Sequence, residues 1–144
     1  MHPFPHHYEV RVAARAAGAV ELTVPGLPTL ESQPPREFDG PGTAWSPETL
    51  LTAAVADCFV LSFRAIAAAS KFSWTALEAS THGTLERIEG KMRFTRFETR
   101  ARLSVPPGTD AERARRLLEK AEASCLIANS LAAERHLVAE VATA

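Results

Sequence analysis

The sequence has few cysteines and no excess of charge of either sign. Its two cysteines, Cys58 and Cys125, are too few for a disulfide scaffold but are enough for a redox pair. The formal net charge is −1, which argues against a protein that binds nucleic acid or an anionic membrane surface. The composition is otherwise that of an ordinary globular protein.

Targeting signals are also missing. The N-terminal stretch MHPFPHHYEV has no basic region followed by an apolar run, so we predict no signal peptide. The apolar run from Leu50 to Ala69 carries Asp57 and Arg64, which speaks against a membrane span. The length of 144 residues suits one domain, and we predict a single cytoplasmic domain over residues 1–144.

The histidines do not indicate a metal site. They show no ligand spacing relative to either cysteine, and those near the N-terminus suit a solvated end of the chain. The five positions are His2, His6, His7, His82 and His136. We therefore predict that the chain binds no metal.

The first part of the chain alternates apolar and polar residues in two short runs. YEVRV, from Tyr8 to Val12, and AVELTV, up to Val24, have the period of half-buried strands and predict a hairpin. The segment from Pro25 to Thr43 contains five prolines and three glycines, and so predicts a loop.

A long helix is predicted to begin after this loop. Ser46 suits the N-cap, Pro47 the first helical position, and Glu48 the positive end of the helix dipole. Beyond Thr52 the sequence is apolar on nearly every face, which is typical of a central, buried helix.

A second hairpin is predicted around EGK, between two longer strand-like runs. In the second run the apolar positions change from even to odd numbers between Phe94 and Phe97, which predicts a β-bulge. After PPG, Thr109 and Glu112 fit a capping box at the start of another helix. The predicted apolar stripe of this helix consists of Ala114, Leu117, Leu118 and Ala121.

Cys125 lies near the end of this helix or in a short helix of its own. The last segment, RHLVAEVAT, alternates in the manner of a strand. The predicted order is ββ-α-ββ-α-β, which indicates an α+β protein with largely antiparallel pairing.

The residues alone favour a packed, inert thiol for Cys58, because free cysteines are among the most often buried residues. A reactive thiolate in apolar surroundings needs a nearby cation. Arg36 is the only basic residue between Pro25 and Ser62, so it is the obvious donor. Glu48 is roughly 15 Å from Cys58 along an unbroken helix, too far for direct contact.

A combination of motifs resembles a known family. It comprises SPE at a helix start, a cysteine ten residues after Glu48, a GPGT loop before the helix, and a second cysteine 67 residues after the first. This pattern resembles the OsmC/Ohr family, the osmotically inducible and organic hydroperoxide resistance proteins. The resemblance extends roughly from Tyr8 to Val141, and its most specific part is GPGTAWSPETLLTAAVADCF, from Gly40 to Phe59.

The resemblance implies an α+β fold of intertwined homodimers. Two long central helices would pack between antiparallel sheets, with active sites at the dimer interface. Such a helix is apolar all round because the other subunit covers part of it.

The resemblance also implies an activity. Members characterised as enzymes are thiol peroxidases, in which Cys58 would be the peroxidatic and Cys125 the resolving cysteine. An arginine would lower the pKa of Cys58, and Glu48 would hold that arginine by an ion pair. The implied partners are an organic hydroperoxide substrate and a lipoyl-type dithiol reductant, and no metal, haem or flavin is implied as a cofactor.

Two features depart from the family pattern. Leu126 follows the second cysteine where the peroxidases usually have proline. The arginine has three candidates: we favour Arg36, in the loop, over Arg15 and Arg11 of the first hairpin. The alternative function is that of a non-enzymatic dimer that binds an apolar small molecule or senses redox state.

Overall fold

The computed structural model describes residues 1–143. The chain divides into two compact units, of which the first is Met1–Leu50 and the second is the remainder from Leu51. The prediction of a single domain over residues 1–144 stays a prediction. The α+β order with mainly antiparallel pairing is confirmed, with one strand more than we predicted.

The first unit contains a three-stranded antiparallel sheet. Its strands are β1 (Arg11–Ala13), β2 (Val20–Thr23) and β3 (Leu30–Ser32), in the order β1-β2-β3. The predicted hairpin is confirmed, although β1 begins three residues later than Tyr8. The prediction of a continuous loop over Pro25–Thr43 was wrong, because β3 and a 3-10 turn at Arg36–Phe38 lie inside it. A three-residue strand is too short for its pattern to stand out among prolines and glycines.

The long helix, α1 (Pro47–Ala69), begins where the sequence predicted. Ser46 and Thr49 cap it reciprocally: the Thr49 N–H donates to Ser46 Oγ at 3.1 Å, and the Ser46 N–H donates to Thr49 Oγ1 at 2.8 Å. These two bonds satisfy donors that would otherwise be free at a helix start.

Burial of α1 within one chain is less complete than its composition predicted. The buried positions form one stripe of Val55, Phe59, Phe63 and Ala67. Leu61, by contrast, is 49% exposed. By length and composition α1 could cross a membrane, and 22% of the stretch that meets this criterion is buried. A single such helix is weak evidence for a membrane span, since core helices of soluble proteins meet the same criterion.

The second unit contains a sheet of β4 (Ala76–Ile88), β5 (Lys91–Val105) and β6 (Glu134–Thr143), in the order β4-β5-β6. β4 and β5 form the predicted antiparallel hairpin, and β5 pairs with β6 in parallel. Glu89 and Gly90 join the hairpin with positive φ angles of 50° and 79°, as a two-residue turn requires.

The predicted β-bulge is confirmed. Thr84 pairs with Arg96, whereas the next residue of β4, Leu85, pairs with Phe94. Thr95 is therefore the extra residue of β5, and its hydroxyl bonds to the Glu86 carboxylate. The bulge explains the change of parity, because one inserted residue moves every later side chain to the opposite face.

Two helices follow the hairpin: α2 (Ala111–Ser124) and the short α3 (Leu126–Asn129). The predicted cap at Thr109 was wrong by one residue, since the Asp110 side chain accepts the Arg113 N–H at 3.0 Å. Thr109 instead donates its hydroxyl to the Pro106 carbonyl at 2.7 Å. All four residues of the predicted α2 stripe are buried, and they pack with Phe59, Phe63 and Leu103 in the larger apolar core cluster.

Gly83 is a point of close packing between β4 and its neighbours. A Cβ there would lie 2.9 Å from the rings of Phe94 and Phe97 and 3.0 Å from Thr52 Oγ1. We expect Gly83→Ala to lower the free energy of unfolding by about 1–3 kcal/mol, because the rings and α1 must move apart. Chemical denaturation measures the change.

The control is Ser80→Ala, on the same strand but exposed. It should change stability by less than about 0.5 kcal/mol. Equal stability of the two variants would show that the packing at Gly83 is looser than described.

Candidate active site

Cys58 lies in the middle of α1 and is partly exposed. Its Sγ is 4.0 Å from Ser62 Oγ, one turn further along the helix. The residues alone favoured a packed, inert thiol; the side chain is partly exposed, and its reactivity stays a prediction.

Cys125 occupies the junction between α2 and α3. It is the C-cap of α2 and the N-cap of α3, and only 2% of it is exposed. Its Sγ–H donates to the Val55 carbonyl of α1 at 3.9 Å, a long and weak bond to sulfur. This contact places the thiol against the helix that carries Cys58.

Cys58 lies close enough to Cys125 to affect its pKa. Burial is the main cause that raises the pKa of Cys125 to about 11, and the side chain of Cys58 raises the same pKa by a hydrogen bond and by charge. The backbone N–H groups of Ala128 and Ile127 act in the opposite direction but do not overcome burial. At neutral pH Cys125 is therefore a protonated thiol beside Cys58.

The surroundings of the pair are apolar. Cys125 is in a buried cluster with Val55, Phe97 and Ala128, and Cys58 packs against that cluster. The Phe94 and Phe97 rings stack with their centroids 4.9 Å apart. The other partly buried members are Leu51, Ile127, Leu131 and Ala133. A site of this kind favours an apolar group next to the two thiols.

The predicted arginine and glutamate belong to the first unit, whereas both cysteines belong to the second. Arg36 is exposed and lies over the GPGT loop: a Cβ at Gly42 would be 2.2 Å from Arg36 Nε. Glu48 is partly buried in the first turn of α1. The two other candidates, Arg11 and Arg15, are exposed, and Arg11 Nε is 3.8 Å from the Glu9 carboxylate.

Sequence reasoning missed one residue that contacts the Cys125 segment. The sequence pattern predicts only that Arg135 begins the last strand. Its guanidinium, however, reaches Glu122 and Asn129, on either side of Cys125. Arg135 lies on the partly buried side of an alternating strand, and an arginine at such a position needs a hydrogen-bonding or ionic partner. This position was the one feature of the sequence that could have identified it.

The described residues, 1–143, include no group of three or more His, Cys, Asp or Glu side chains placed to hold a metal ion. His82 and His136 are both exposed on the sheet, opposite Glu98. The Glu98 carboxylate is instead 3.0 Å from both Arg96 and Arg100.

The difference in burial between the thiols predicts different alkylation. In Cys125→Ser, iodoacetamide should label Cys58 at neutral pH, because that thiol is accessible. In Cys58→Ser, Cys125 should stay unlabelled at neutral pH, and its rate should rise about tenfold per pH unit towards pH 11. Mass spectrometry of quenched samples measures both rates.

Labelling of Cys58→Ser in denaturant is the control for an intact thiol, and it should be complete. Rapid labelling of native Cys125 at pH 7 would contradict the burial described above.

Comparisons with known proteins agree with this architecture. The chain is 27% identical to peroxiredoxin OsmC of Escherichia coli over 89 residues, which cover 62% of each protein. An OsmC-like protein of unknown function from Vibrio cholerae superposes with a TM-score of 0.84 at 18% identity, covering 94% of this chain and 99% of that one.

An organic hydroperoxide resistance protein OsmC from Legionella pneumophila superposes with a TM-score of 0.75 at 26% identity, covering 96% of this chain and 99% of that one. The family model of the OsmC-like protein matches residues 40–139, which include both cysteines, Glu48 and the bulged hairpin. The chain therefore belongs to the OsmC-like family, and its α+β fold is the OsmC-like fold.

Proposed function

We propose that this chain is a thiol-dependent peroxidase that reduces organic hydroperoxides through Cys58 and Cys125. The observation that carries the proposal is that a partly exposed thiol packs against the apolar cluster that contains a buried one. The names of the relatives from Escherichia coli and Legionella pneumophila support the same class of reaction.

The reaction takes place in two steps at these sulfurs. The Cys58 thiolate attacks the terminal oxygen of the hydroperoxide, the O–O bond breaks, and the alkoxide leaves as an alcohol after it takes up a proton. Cys58 becomes a sulfenic acid. The Cys125 sulfur then attacks the Cys58 sulfur and loses its proton, water leaves, and an intramolecular disulfide forms. An external dithiol of the lipoyl type returns both sulfurs to thiols.

The difference in burial supports Cys58 as the first nucleophile and Cys125 as the second. Cys58 is partly exposed, so a hydroperoxide can reach it. Cys125 is buried and protonated at neutral pH, so it is a poor first nucleophile. The apolar neighbours of the pair favour an alkyl or aryl hydroperoxide over hydrogen peroxide.

We assign to Arg36 the activation of Cys58 and to Glu48 the holding of that arginine. The position of Arg36 over Gly42 supports this assignment, because the GPGT loop limits the orientations of its side chain.

We further propose a homodimer and a cytoplasmic location. The single buried stripe of α1 supports the dimer, because apolar side chains such as Leu61 remain for a second copy to cover.

A stoichiometric reaction tests the activity. Reduced protein mixed with one equivalent of cumene hydroperoxide should lose two thiols per chain within seconds, and Cys58→Ser should lose none. Cys125→Ser should lose one thiol and accumulate a sulfenic acid that dimedone traps. Thiol titration with a chromogenic disulfide measures each loss, and persistence of both thiols for minutes in the wild type would refute the proposal.

The same assay separates the three arginine candidates. Arg36→Met should slow oxidation of Cys58 by about tenfold or more, since loss of the cation disfavours the thiolate. Arg15→Met and Arg11→Met are matched controls and should react at the wild-type rate. A slow Arg15 or Arg11 variant beside a normal Arg36 variant would move the assignment to the first hairpin.

A second candidate function is the binding of an apolar small molecule. The first unit contains a cavity of about 420 Å³, and Gln33 Oε1 is buried there without a hydrogen-bond partner among residues 1–143. Its apolar lining includes Val12, Val20, Leu22, Phe38 and Leu50. Unreactive thiols together with saturable binding of an apolar fluorescent probe, lost in Leu22→Asn, would favour this function over the peroxidase.

A further inference from the structure

The segment that carries Cys125 packs against α1 through Cys125 and Ala128, but its connection between the two helices is short. Cys125 is a single non-helical residue between α2 and α3, and α3 has only four residues. The next residue, Leu126, is 66% exposed and so does not anchor the segment by burial. Polar contacts at the two helix ends add to the apolar packing that fixes the Cys125 sulfur against α1.

Arg135 supplies contacts on both sides of this cysteine. Its Nη1 donates to Asn129 Oδ1 at 2.7 Å and to the Glu122 carbonyl at 3.4 Å, and its Nε is 3.4 Å from the Glu122 carboxylate. Glu122 precedes Cys125 by one helical turn, and Asn129 follows it by one turn. One guanidinium therefore joins the end of α2 to the end of α3.

Glu122 and Asn129, the two residues that Arg135 contacts, are also hydrogen-bonded to the backbone of Cys125. The Cys125 N–H donates to the Glu122 carbonyl at 3.2 Å, and the Asn129 N–H donates to the Cys125 carbonyl at 2.9 Å. The Asn129 side chain also donates to the Ala123 carbonyl at 3.2 Å. A shift of Glu122 or Asn129 is thus transmitted to the cysteine through its own backbone.

Arg135 is itself fixed by the sheet. It lies in β6, in register with Phe97 of β5. Phe97 is buried in the same apolar cluster as Cys125. The guanidinium therefore extends from the paired strands β5 and β6 to the α2–α3 junction.

We infer that Arg135 is a positioning residue that holds the α2–α3 junction so that the Cys125 sulfur can bond to Cys58. The inference rests on the proposed function, because it concerns the second step of that reaction. A disulfide tolerates only a narrow range of Cα separations, roughly 4.4–6.8 Å, so a small displacement of the junction prevents the bond.

Equilibrium with glutathione tests this role without any peroxide. The wild type and Arg135→Met are equilibrated with reduced and oxidised glutathione, and acid-quenched samples are separated by mass. The effective concentration of Cys125 towards Cys58 should fall by at least about tenfold in Arg135→Met, since two charge-assisted bonds to the junction are lost. An effective concentration equal to that of the wild type would overturn the inference.

Three further variants separate position from charge and from general loosening. Arg135→Lys keeps the charge but not the fork of donors, so it should recover only part of the loss. Asn129→Ala is an exposed change that removes the acceptor of Arg135 and also the side-chain donor to the Ala123 carbonyl. It should give an intermediate loss, and it serves if Arg135→Met does not fold. Arg102→Met removes an exposed arginine that lies 3.6 Å from Glu140 on the sheet, and it should match the wild type. Equal losses in Arg102→Met and Arg135→Met would also overturn the inference.

The rate of the first chemical step separates positioning of the junction from general destabilisation. A substitution that only loosened the fold would also lower this rate. The rate of Cys58 sulfenic acid formation with cumene hydroperoxide should be unchanged in Arg135→Met, while the share that goes on to sulfinic acid should increase. A wild type that is inert to hydroperoxide, together with a lower effective concentration in Arg135→Met, would refute the peroxidase but leave the positioning role intact. A fall in the first rate equal to the fall in disulfide yield would mean that the substitution loosens the whole unit, contrary to the inference.

Discussion

The packing of the α2–α3 junction against the middle of α1 is the constraint on which the candidate site depends. It brings the Cys125 thiol to the Val55 carbonyl, one turn of helix before Cys58. Because Cys58 and Cys125 are 67 residues apart in sequence, only this tertiary contact makes them neighbours. The bulged hairpin supports the contact from the other side, since Phe97 is in the same buried cluster.

The same packing makes the two thiols chemically different. A buried thiol in apolar surroundings keeps its proton, and Cys125 has its pKa raised to about 11 for that reason. Cys58 stays accessible on the flank of α1. Two cysteines with equal exposure would compete for an oxidant. The arrangement here suits the proposed mechanism, in which Cys58 reacts with the oxidant and Cys125 attacks the resulting sulfenic acid. The raised pKa of Cys125 comes mainly from burial, and the neighbouring Cys58 adds to it.

Local patterns in the sequence were sufficient for most elements. The capped start of α1 and the bulge near Thr95 follow from side-chain chemistry and from strand periodicity, and both are present. β3 was missed because three residues carry too little periodicity to be distinguished from a loop. The cap of α2 was placed one residue early, because Thr109 and Asp110 both suit an N-cap and only the backbone geometry decides between them.

The site was harder to predict than the fold. Family resemblance identified Cys58 and Cys125 as a pair, but the difference in burial on which their proposed order depends is a tertiary property. Arg135 carried no motif, since its role depends on where two helix ends meet a strand. The roles of Arg36 and Glu48 still rest on the family pattern.

The most direct test of the central claim, that Cys58 and Cys125 are partners in one redox reaction, is peptide mapping by mass spectrometry under non-reducing conditions. The protein is treated with a single equivalent of alkyl hydroperoxide, blocked with an alkylating agent and digested. We predict one linked peptide pair that joins Cys58 to Cys125, with the chain lighter by two hydrogens. Cys58 oxidised to sulfinic acid beside an alkylated, unlinked Cys125 would contradict the account.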